Sequence, residues 1–207
     1  MRLRNVKNKN EIMASSKVLI LNPMDYKGKW SSVFNNDNPI HVEIGMGKGN
    51  FLIGMAEKYP DINFIGIEKY DSVIVRALEK IDFKENLKMI RMNANEIEEV
   101  FDKEISRIYL NFSDPWPKVR HHERRLTSFT FLKKYDAIFK TSPEIYQKTD
   151  NRDLFEYSIV SLSTYGYHFP FITFDLHHSS VEDNVLTEYE SRFVSEGLPI
   201  YFLVAKK

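Results

Sequence analysis

From about residue 38 onward, apolar runs of strand length alternate with segments in which apolar residues recur at helical spacing. This alternation predicts an α/β domain with mostly parallel strands joined by helices. We expect seven strands and about six helices. The predicted strands cover residues 40–44, 62–67, 87–92, 105–111, 144–147, 167–173 and 200–204. Two helical stripes are Leu52, Met55, Ala56 and Tyr59, and Phe155, Ile159 and Leu162.

The first 35 residues lack a convincing period and carry the basic residues Arg2, Arg4, Lys7 and Lys9. We interpret residues 1–35 as a basic N-terminal arm in which residues 17–21 form a short apolar anchor. Residues 36–207 are predicted to form one domain, because the sequence shows no internal repeat and no sign of a second domain.

The composition of the chain excludes several classes of protein and of chemistry. The 207 residues can enclose a full core, and they contain no cysteine, which removes disulfides and thiolate chemistry. No apolar run is long enough for a bilayer and the N-terminus is not a signal peptide, so we expect a cytoplasmic protein without a membrane partner. His177 and His178 are adjacent and would point to opposite faces of an extended segment, so no metal site is expected.

A glycine-rich turn follows the first predicted strand of the domain. Gly45, Gly47 and Gly49 permit close approach of a ligand to the backbone, and the helix that follows can hold an anionic group. Glu43 precedes the turn, and Glu68 ends the next strand, where a carboxylate can accept hydrogen bonds from ribose hydroxyls. The pattern G-x-G-x-G departs from the dinucleotide fingerprint. These features favour a nucleoside cofactor, with S-adenosylmethionine, a dinucleotide and a ligand-free turn as alternatives.

The predicted strand 105–111 runs into Asn-Phe-Ser-Asp-Pro-Trp-Pro-Lys at residues 111–118. Ligands of open α/β sheets bind outside the carboxyl ends of the strands, so Asp114 should lie beside the glycine turn. Pro115 and Pro117 stiffen the loop. A carboxylate next to the ring of Trp116 suits a flat base such as guanine, whose N1–H and N2 donors a carboxylate accepts.

A basic run begins directly after this loop. It contains Lys118, Arg120, His121, His122, Glu123, Arg124 and Arg125. Although the net charge of the chain is zero, these cations would lie where the phosphates flanking a captured base must pass. The alternative is an ordinary solvated face.

Three segments together resemble the tRNA guanine-N7 methyltransferases of the bacterial single-chain type. They are residues 111–118 with the His-x-x-Arg-Arg that follows, Lys-Thr-Asp-Asn at 148–151, and Thr-Glu-Tyr-Glu at 187–190. The resemblance implies a seven-stranded, Rossmann-like class I methyltransferase fold. It also implies S-adenosylmethionine as methyl donor and guanine 46 of the tRNA variable loop as acceptor. A monomer and a homodimer are both compatible with it.

The resemblance also implies roles for individual residues, with Asp114 as the catalytic residue. Cofactor contacts would come from Glu43, Gly45, Gly47, Gly49, Glu68, Asn93, Ala94 and Asp114. Substrate contacts would come from Lys118, Arg120, His121, His122, Glu123, Arg124, Arg125, Asp150, Thr187, Glu188, Tyr189 and Glu190. One departure is Asn93, which stands where the family commonly carries Asp.

Some of these residues have a structural alternative. Asp150 precedes a helical stripe and could be its N-cap, while Thr187 and Glu190 have the spacing of a capping box.

The rival functions are an amine methyltransferase acting on N2 or N6 of a base, an inactive RNA-binding scaffold of the same fold and a nicotinamide dehydrogenase. The basic continuation after Pro117 argues against the first.

Overall fold

Eight strands form a single sheet in the computed structural model, which describes residues 8–81, 83–181 and 184–207. The strands are β1 (Leu19–Ile20), β2 (Ile40–Ile44), β3 (Asn63–Glu68), β4 (Leu87–Arg91), β5 (Ile105–Asn111), β6 (Glu144–Thr149), β7 (His168–Thr173) and β8 (Tyr201–Lys206). The helices are α1 (Lys9–Ser15), α2 (Trp30–Phe34), α3 (Asn50–Lys58), α4 (Asp71–Leu78), α5 (Ile97–Val100), α6 (Phe129–Ile138), α7 (Arg152–Thr164) and α8 (Glu188–Ser195).

The sheet has the order β1-β4-β3-β2-β5-β6-β8-β7. The strands from β1 to β6 pair in parallel, whereas β8 pairs antiparallel to both β6 and β7. Strand β2 has β3 on one side and β5 on the other, so the strand order reverses there. Such a switch point opens a crevice outside the carboxyl ends of the two central strands.

The α/β architecture predicted from the sequence is confirmed, and each of the seven predicted strands is present with ends shifted by at most two residues. The prediction of seven strands is wrong by one. The additional strand is β1, in which Leu19 and Ile20 pair with Met89 and Ile90 of β4. Two residues are too few to display an alternating pattern, so only the pairing reveals this strand.

Helices cover both faces of the sheet. On one face α3 and α4 pack against Phe64 and Met89, and on the other α2, α5, α6 and α7 pack against Val42 and Ile65. β2 and β3 lie between these two helical layers and are buried along their whole length. The count of about six helices missed short ones, since α2 has 5 residues and α5 has 4.

The segment before residue 36 contacts the rest of the fold where it is described. Trp30 is fully buried, and its indole Nε1 donates to the carbonyl of Val100 at 2.9 Å. The ammonium of Lys9 lies 2.8 Å from the carboxylate of Asp71. Arg2, Arg4 and Lys7 of the predicted basic arm lie outside the described residues, and the boundary at residue 35 stays a prediction. Across the described residues, no helix is both long and apolar enough to span a bilayer.

Candidate active site

A cavity of about 380 Å³ lies at the carboxyl ends of β2 and β5, at the switch point of the sheet. It brings together four parts of the chain that are distant in sequence. The lining residues are Glu43, Gly45, Met46, Gly47, Lys48, Gly49, Asn50, Phe51, Val73, Asn111, Phe112, Thr187, Glu188 and Tyr189. The predicted glycine turn and the predicted segment 187–190 therefore share one cavity.

The glycine turn leaves space beside its backbone. Gly45 and Gly47 have φ angles of 81° and 56°, and a Cβ added at either would meet no atom within 4 Å. The amides of Gly45 and Met46 both donate to the carbonyl of Ile67, at 2.9 and 3.0 Å, which fixes the turn to β3. The open space is consequently held in place and available to a ligand.

Glu43 contributes a buried acceptor without a partner. Its side chain is 2% exposed, and Oε1 accepts a hydrogen bond from the Asn111 amide at 2.8 Å, while Oε2 has no partner among the described residues. Burial raises the pKa of Glu43 to about 7, and the Asn111 hydrogen bond and the charge of Lys148 oppose this rise. A buried, unpaired acceptor is costly unless a ligand donor satisfies it. Oε2 is thus suited to a cationic amino group.

Glu68 ends β3 next to this turn. Its Oε1 accepts from the amides of Lys69 at 2.8 Å and Tyr70 at 3.1 Å. Burial raises the pKa of Glu68, and backbone hydrogen bonds from Tyr70, Lys69 and Gly47 oppose the rise. The carboxylate is therefore oriented by backbone groups, at the position where a ribose contact is predicted.

Asn93 and Ala94 follow β4 at the same edge of the sheet. The Asn93 side chain accepts from the amide of Asn95 at 3.1 Å and caps the turn Ala94–Glu96. The predicted adenine contact would share this side chain with its capping role.

Asp114 lies on the loop after β5 and is exposed. Within the described part of the chain, its carboxylate has no hydrogen bond or ion pair. The loop turns through two residues with positive φ, Phe112 at 51° and Trp116 at 43°. The lining of the cavity reaches Asn111 and Phe112, so Asp114 stands two residues beyond its wall.

Arg125 braces this loop. Its side chain is almost completely buried, and the guanidinium donates from Nε to the Pro115 carbonyl at 2.8 Å and from Nη2 to the Trp116 carbonyl at 3.4 Å. It also lies 4.5 Å from the ring of Tyr157. The expected phosphate contact of Arg125 stays a prediction, and Nε and Nη2 of its guanidinium donate to carbonyls of the loop.

The remaining residues of the basic run reach the surface. Lys118, Arg120, Glu123 and Arg124 are exposed, and His121 and His122 are half-buried. The guanidinium of Arg124 stacks 4.9 Å from the Trp116 ring. This run therefore presents cations beside the Asp114 loop.

The alternative that Asp150 is an N-cap is wrong, because α7 begins at Arg152 and its N-cap is therefore the residue after Asp150. Asn151 is the cap, and its side chain accepts from the amide of Leu154 at 2.8 Å. Asp150 directly follows β6, so it lies at the same carboxyl edge of the sheet as Asn111.

The capping box at the start of α8 is confirmed. Thr187 Oγ1 accepts from the Glu190 amide at 2.9 Å, and Glu190 Oε2 accepts from the Thr187 amide at 3.2 Å. Thr187, Glu188 and Tyr189 also line the cavity. Capping and a position at the site thus occur together.

Lys148 lies behind the cavity wall and was not among the candidate site residues. It is the penultimate residue of β6, and its buried ammonium donates to Glu190 Oε2 at 3.1 Å and to the carbonyl of Val185 at 3.0 Å. It also lies 5.2 Å from the centre of the Phe51 ring, which lines the cavity. The signal in the sequence was a lysine within a strand that is predicted to be buried, because lysine is rarely buried unless it is paired.

Exposed ion pairs join α8 to the glycine turn and to the segment after α4. Glu188 Oε1 lies 3.0 Å from Nζ of Lys48 and 3.4 Å from Nζ of Lys80.

His177 and His178 belong to a short 3₁₀ turn, Leu176–His178, instead of the extended segment that we expected. In residues 8–81, 83–181 and 184–207, no three His, Asp or Glu side chains are grouped to hold a metal ion.

Comparisons with known proteins agree with this site. Residues 37–203 match a family model described as "Putative methyltransferase". The chain is 51% identical to a tRNA (guanine-N(7)-)-methyltransferase of Bacillus licheniformis, over 100% of this chain and 99% of the relative. It is 53% identical to one of Listeria monocytogenes, over 91% of this chain and 90% of the relative.

Solved structures share the fold at low identity. A 16S rRNA methyltransferase, KamB, has a TM-score of 0.65 at 10% identity and covers 86% of this chain and 92% of its own. A structure titled as an antibiotic related methyltransferase has a TM-score of 0.63 at 16% identity, with 87% and 92% covered.

Proposed function

The chain belongs to the tRNA (guanine-N(7)-)-methyltransferase family, and we propose that the guanine it methylates is guanine 46 of the tRNA variable loop. The reaction transfers a methyl group from S-adenosylmethionine to N7 of a guanine in tRNA. The observation that carries the proposal is the cavity at the switch point. There a glycine turn, a buried carboxylate with one oxygen unpaired among the described residues, and the start of α8 meet.

The residues present fit S-adenosylmethionine. Among the described residues, Glu43 Oε2 is a buried acceptor without a partner, and the open space beside Gly45 and Gly47 would otherwise be filled by a Cβ. We propose that Glu43 holds the amino group, that Gly45, Gly47 and Gly49 follow the cofactor chain and that Glu68 accepts from the ribose. Asn93 and Ala94 would contact the adenine. When bound, the cofactor supplies a methyl group made electrophilic by a sulfonium.

Asp114 is proposed as the catalytic residue and as a cofactor-side contact. Guanine N7 carries an in-plane lone pair and no proton, so the reaction needs no general base. Asp114 would orient the base by accepting from N1–H and N2–H and would stabilise the positive charge that develops on the ring. Its carboxylate is exposed, is unpaired among the described residues and lies on a loop held by Arg125. A free acceptor on a braced loop supports this role.

We propose that the exposed cations beside the loop bind tRNA phosphates. Lys118, Arg120 and Arg124 supply sequence-independent attraction, and the half-buried His121 and His122 complete this surface together with Glu123. Arg125 would act on the RNA indirectly, through the loop.

Further substrate contacts are proposed from the two segments that flank the loop in space. Asp150 lies after β6, and Thr187, Glu188 and Tyr189 line the cavity at the start of α8, where Glu190 anchors them. We propose that the protein acts as a monomer or as a homodimer. A tRNA substrate also supports a cytoplasmic location.

The deciding experiment is mass spectrometry of nucleosides from tRNA incubated with the protein and isotopically labelled S-adenosylmethionine. We expect labelled 7-methylguanosine from a tRNA with guanine 46 and none from the same tRNA with adenosine at that position. Label on an exocyclic amine would instead identify the rival amine methyltransferase. Binding of both ligands without any methylated nucleoside would identify an inactive scaffold.

A further inference from the structure

Phe112 adopts a backbone conformation that aromatic residues rarely take. Its φ is 51°, in the left-handed region where a Cβ crowds the backbone. The residue directly follows β5, and its amide donates to the carbonyl of Lys148 at 2.9 Å, so β6 holds the turn in place. Residues kept in such conformations cluster at ligand sites. Here the turn puts Phe112 in the wall of the cavity.

Two rings of α8 pack around Phe112. The ring centroids of Phe112 and Tyr189 are 5.2 Å apart, those of Phe112 and Phe193 are 6.5 Å apart, and those of Tyr189 and Phe193 are 4.9 Å apart. Of these three described rings, only Phe112 and Tyr189 line the cavity. Tyr189 is 51% exposed. The cluster therefore presents an aromatic surface to the cavity and keeps Phe193 behind it.

This aromatic surface shares its cavity with the glycine turn. Gly45 and Gly47 contribute open backbone there, and Glu43 contributes its unpaired oxygen. A base that lies against the rings would consequently be in the same cavity as the methyl donor.

We propose that Phe112 and Tyr189 form the stacking surface for the purine ring of the target guanine. The exposed ring of Tyr189 is the contact face, and Phe112 is the second ring that keeps it in place and extends it. Aromatic side chains bind splayed-out RNA bases in this way, because every base has a π face. The inference rests on the proposed function, since it names the surface that receives the base.

Stacking suits methylation at N7. The N7 lone pair lies in the plane of the purine, so contacts to the faces of the ring leave this edge free and fix the plane in which the methyl carbon must approach. The lone pair forms the new N–C bond, the electrons of the C–S bond stay with sulfur, and the purine becomes a cation. The face of an aromatic ring attracts such a cation. The surface thus favours the charged transition state as well as the bound base.

The test uses Tyr189→Leu, Phe112→Leu and the conservative variant Tyr189→Phe, with Phe193→Leu as the matched control for packing. Single-turnover methylation is measured against RNA concentration at saturating S-adenosylmethionine. Cofactor affinity is measured by calorimetry, and melting temperature is measured in parallel. Leucine retains apolar volume but has no ring face, so the loss of stacking is separated from the loss of folding.

We expect Tyr189→Leu to lower the apparent second-order rate with RNA by about 5- to 150-fold, since stacking of one base is worth roughly 1–3 kcal/mol. Phe112→Leu should lower this rate in the same direction. Tyr189→Phe should restore most of it. Phe193→Leu should lower the melting temperature with a much smaller effect on the rate, and cofactor affinity should be retained in the Tyr189 variants.

Wild-type rates in both Tyr189→Leu and Phe112→Leu would overturn the proposal. Equal losses in Tyr189→Phe and Tyr189→Leu would also overturn it, as would a loss in Phe193→Leu as large as that in Tyr189→Leu. A parallel loss of cofactor affinity would assign the rings to the cofactor instead. Failure of the proposed function is a separate outcome, in which the wild-type protein itself produces no 7-methylguanosine.

Discussion

Nζ of Lys148 lies 3.1 Å from Oε2 of Glu190, and the two side chains are 7% and 0% exposed. Burial lowers the pKa of Lys148, and the charges of Glu190 and Glu43 oppose this change. The amide of Asn184 donates to the other Glu190 oxygen at 2.7 Å. The pair thus attaches the start of α8, which lines the cavity, to the end of β6.

Lys148→Met should leave Glu190 buried without the ammonium that pairs with it. We expect the free energy of unfolding to fall by about 3 kcal/mol or more, the cost of breaking a buried pair from one side. Urea denaturation measures this change. The control is Arg152→Met in the exposed pair with Glu156, which should cost about 0.5 kcal/mol or less. Equal losses in the two variants would mean that burial of the Lys148 pair has no energetic consequence.

The raised pKa of Glu43 predicts a pH dependence of stability. Because the folded-state pKa is about 7 and the ordinary value is 4.5, the folded protein holds this proton where the unfolded chain has released it. Stability should therefore fall as the pH rises through this interval. Relative to Glu43→Gln, the wild type should lose about 3 kcal/mol of unfolding free energy between the two values. Denaturant titrations across this pH range measure the free energy of unfolding. If it changed with pH equally in the wild type and in Glu43→Gln, the raised pKa of Glu43 would be contradicted.

Glu68→Ala should weaken cofactor binding. If the carboxylate accepts hydrogen bonds from the ribose, losing them costs roughly 1.5–3 kcal/mol, a drop in affinity of about tenfold or more. Isothermal calorimetry with S-adenosylmethionine measures it. Glu79→Ala, at the exposed residue that follows α4, is the control and should bind normally. Unchanged affinity in Glu68→Ala would remove this residue from the cofactor site.

Adjacent arginines should differ in their effect on RNA binding. Neutralising Arg120 and Arg124 together should flatten the slope of log affinity against log salt by about 1.8, if duplex behaviour applies. Arg125→Gln should leave this slope nearly unchanged and lower the methylation rate, because its guanidinium holds the Asp114 loop. Filter binding over a salt series measures the slope. A change in slope from Arg125→Gln equal to that of one exposed arginine would show that it contacts phosphate.

Asp114 should be required for turnover more than for folding. Asp114→Ala and Asp114→Asn should each cut the single-turnover methylation rate by about 10² or more, the scale of removing one preorganised electrostatic contact. The melting temperature should barely change, since the carboxylate is exposed and unpaired among the described residues. Asp61→Ala, at an exposed turn, is the control and should keep the wild-type methylation rate. Near wild-type rates in both Asp114 variants would exclude it from the mechanism.

Local patterns determined much of this protein. The period of the apolar residues was sufficient to predict the α/β fold and seven strands, because burial on the faces of a sheet or helix dictates that period. The glycine spacing, the segment from Asn111 to Lys118 and the capping box at Thr187 were equally local. Strand β1 escaped prediction, since two residues carry no period and its partner lies in β4.

Tertiary structure decided which of these side chains are available for chemistry. Arg124 and Arg125 are neighbours of the same type, yet one is exposed over Trp116 and the other is buried against the loop carbonyls. Lys148 and Glu190 are 42 residues apart and pair only because β6 ends beside α8. Sequence determines the local period through the geometry of each element. Burial, charge pairing and the aromatic wall at Phe112 depend on which elements the topology brings together, and that is a property of the whole folded chain.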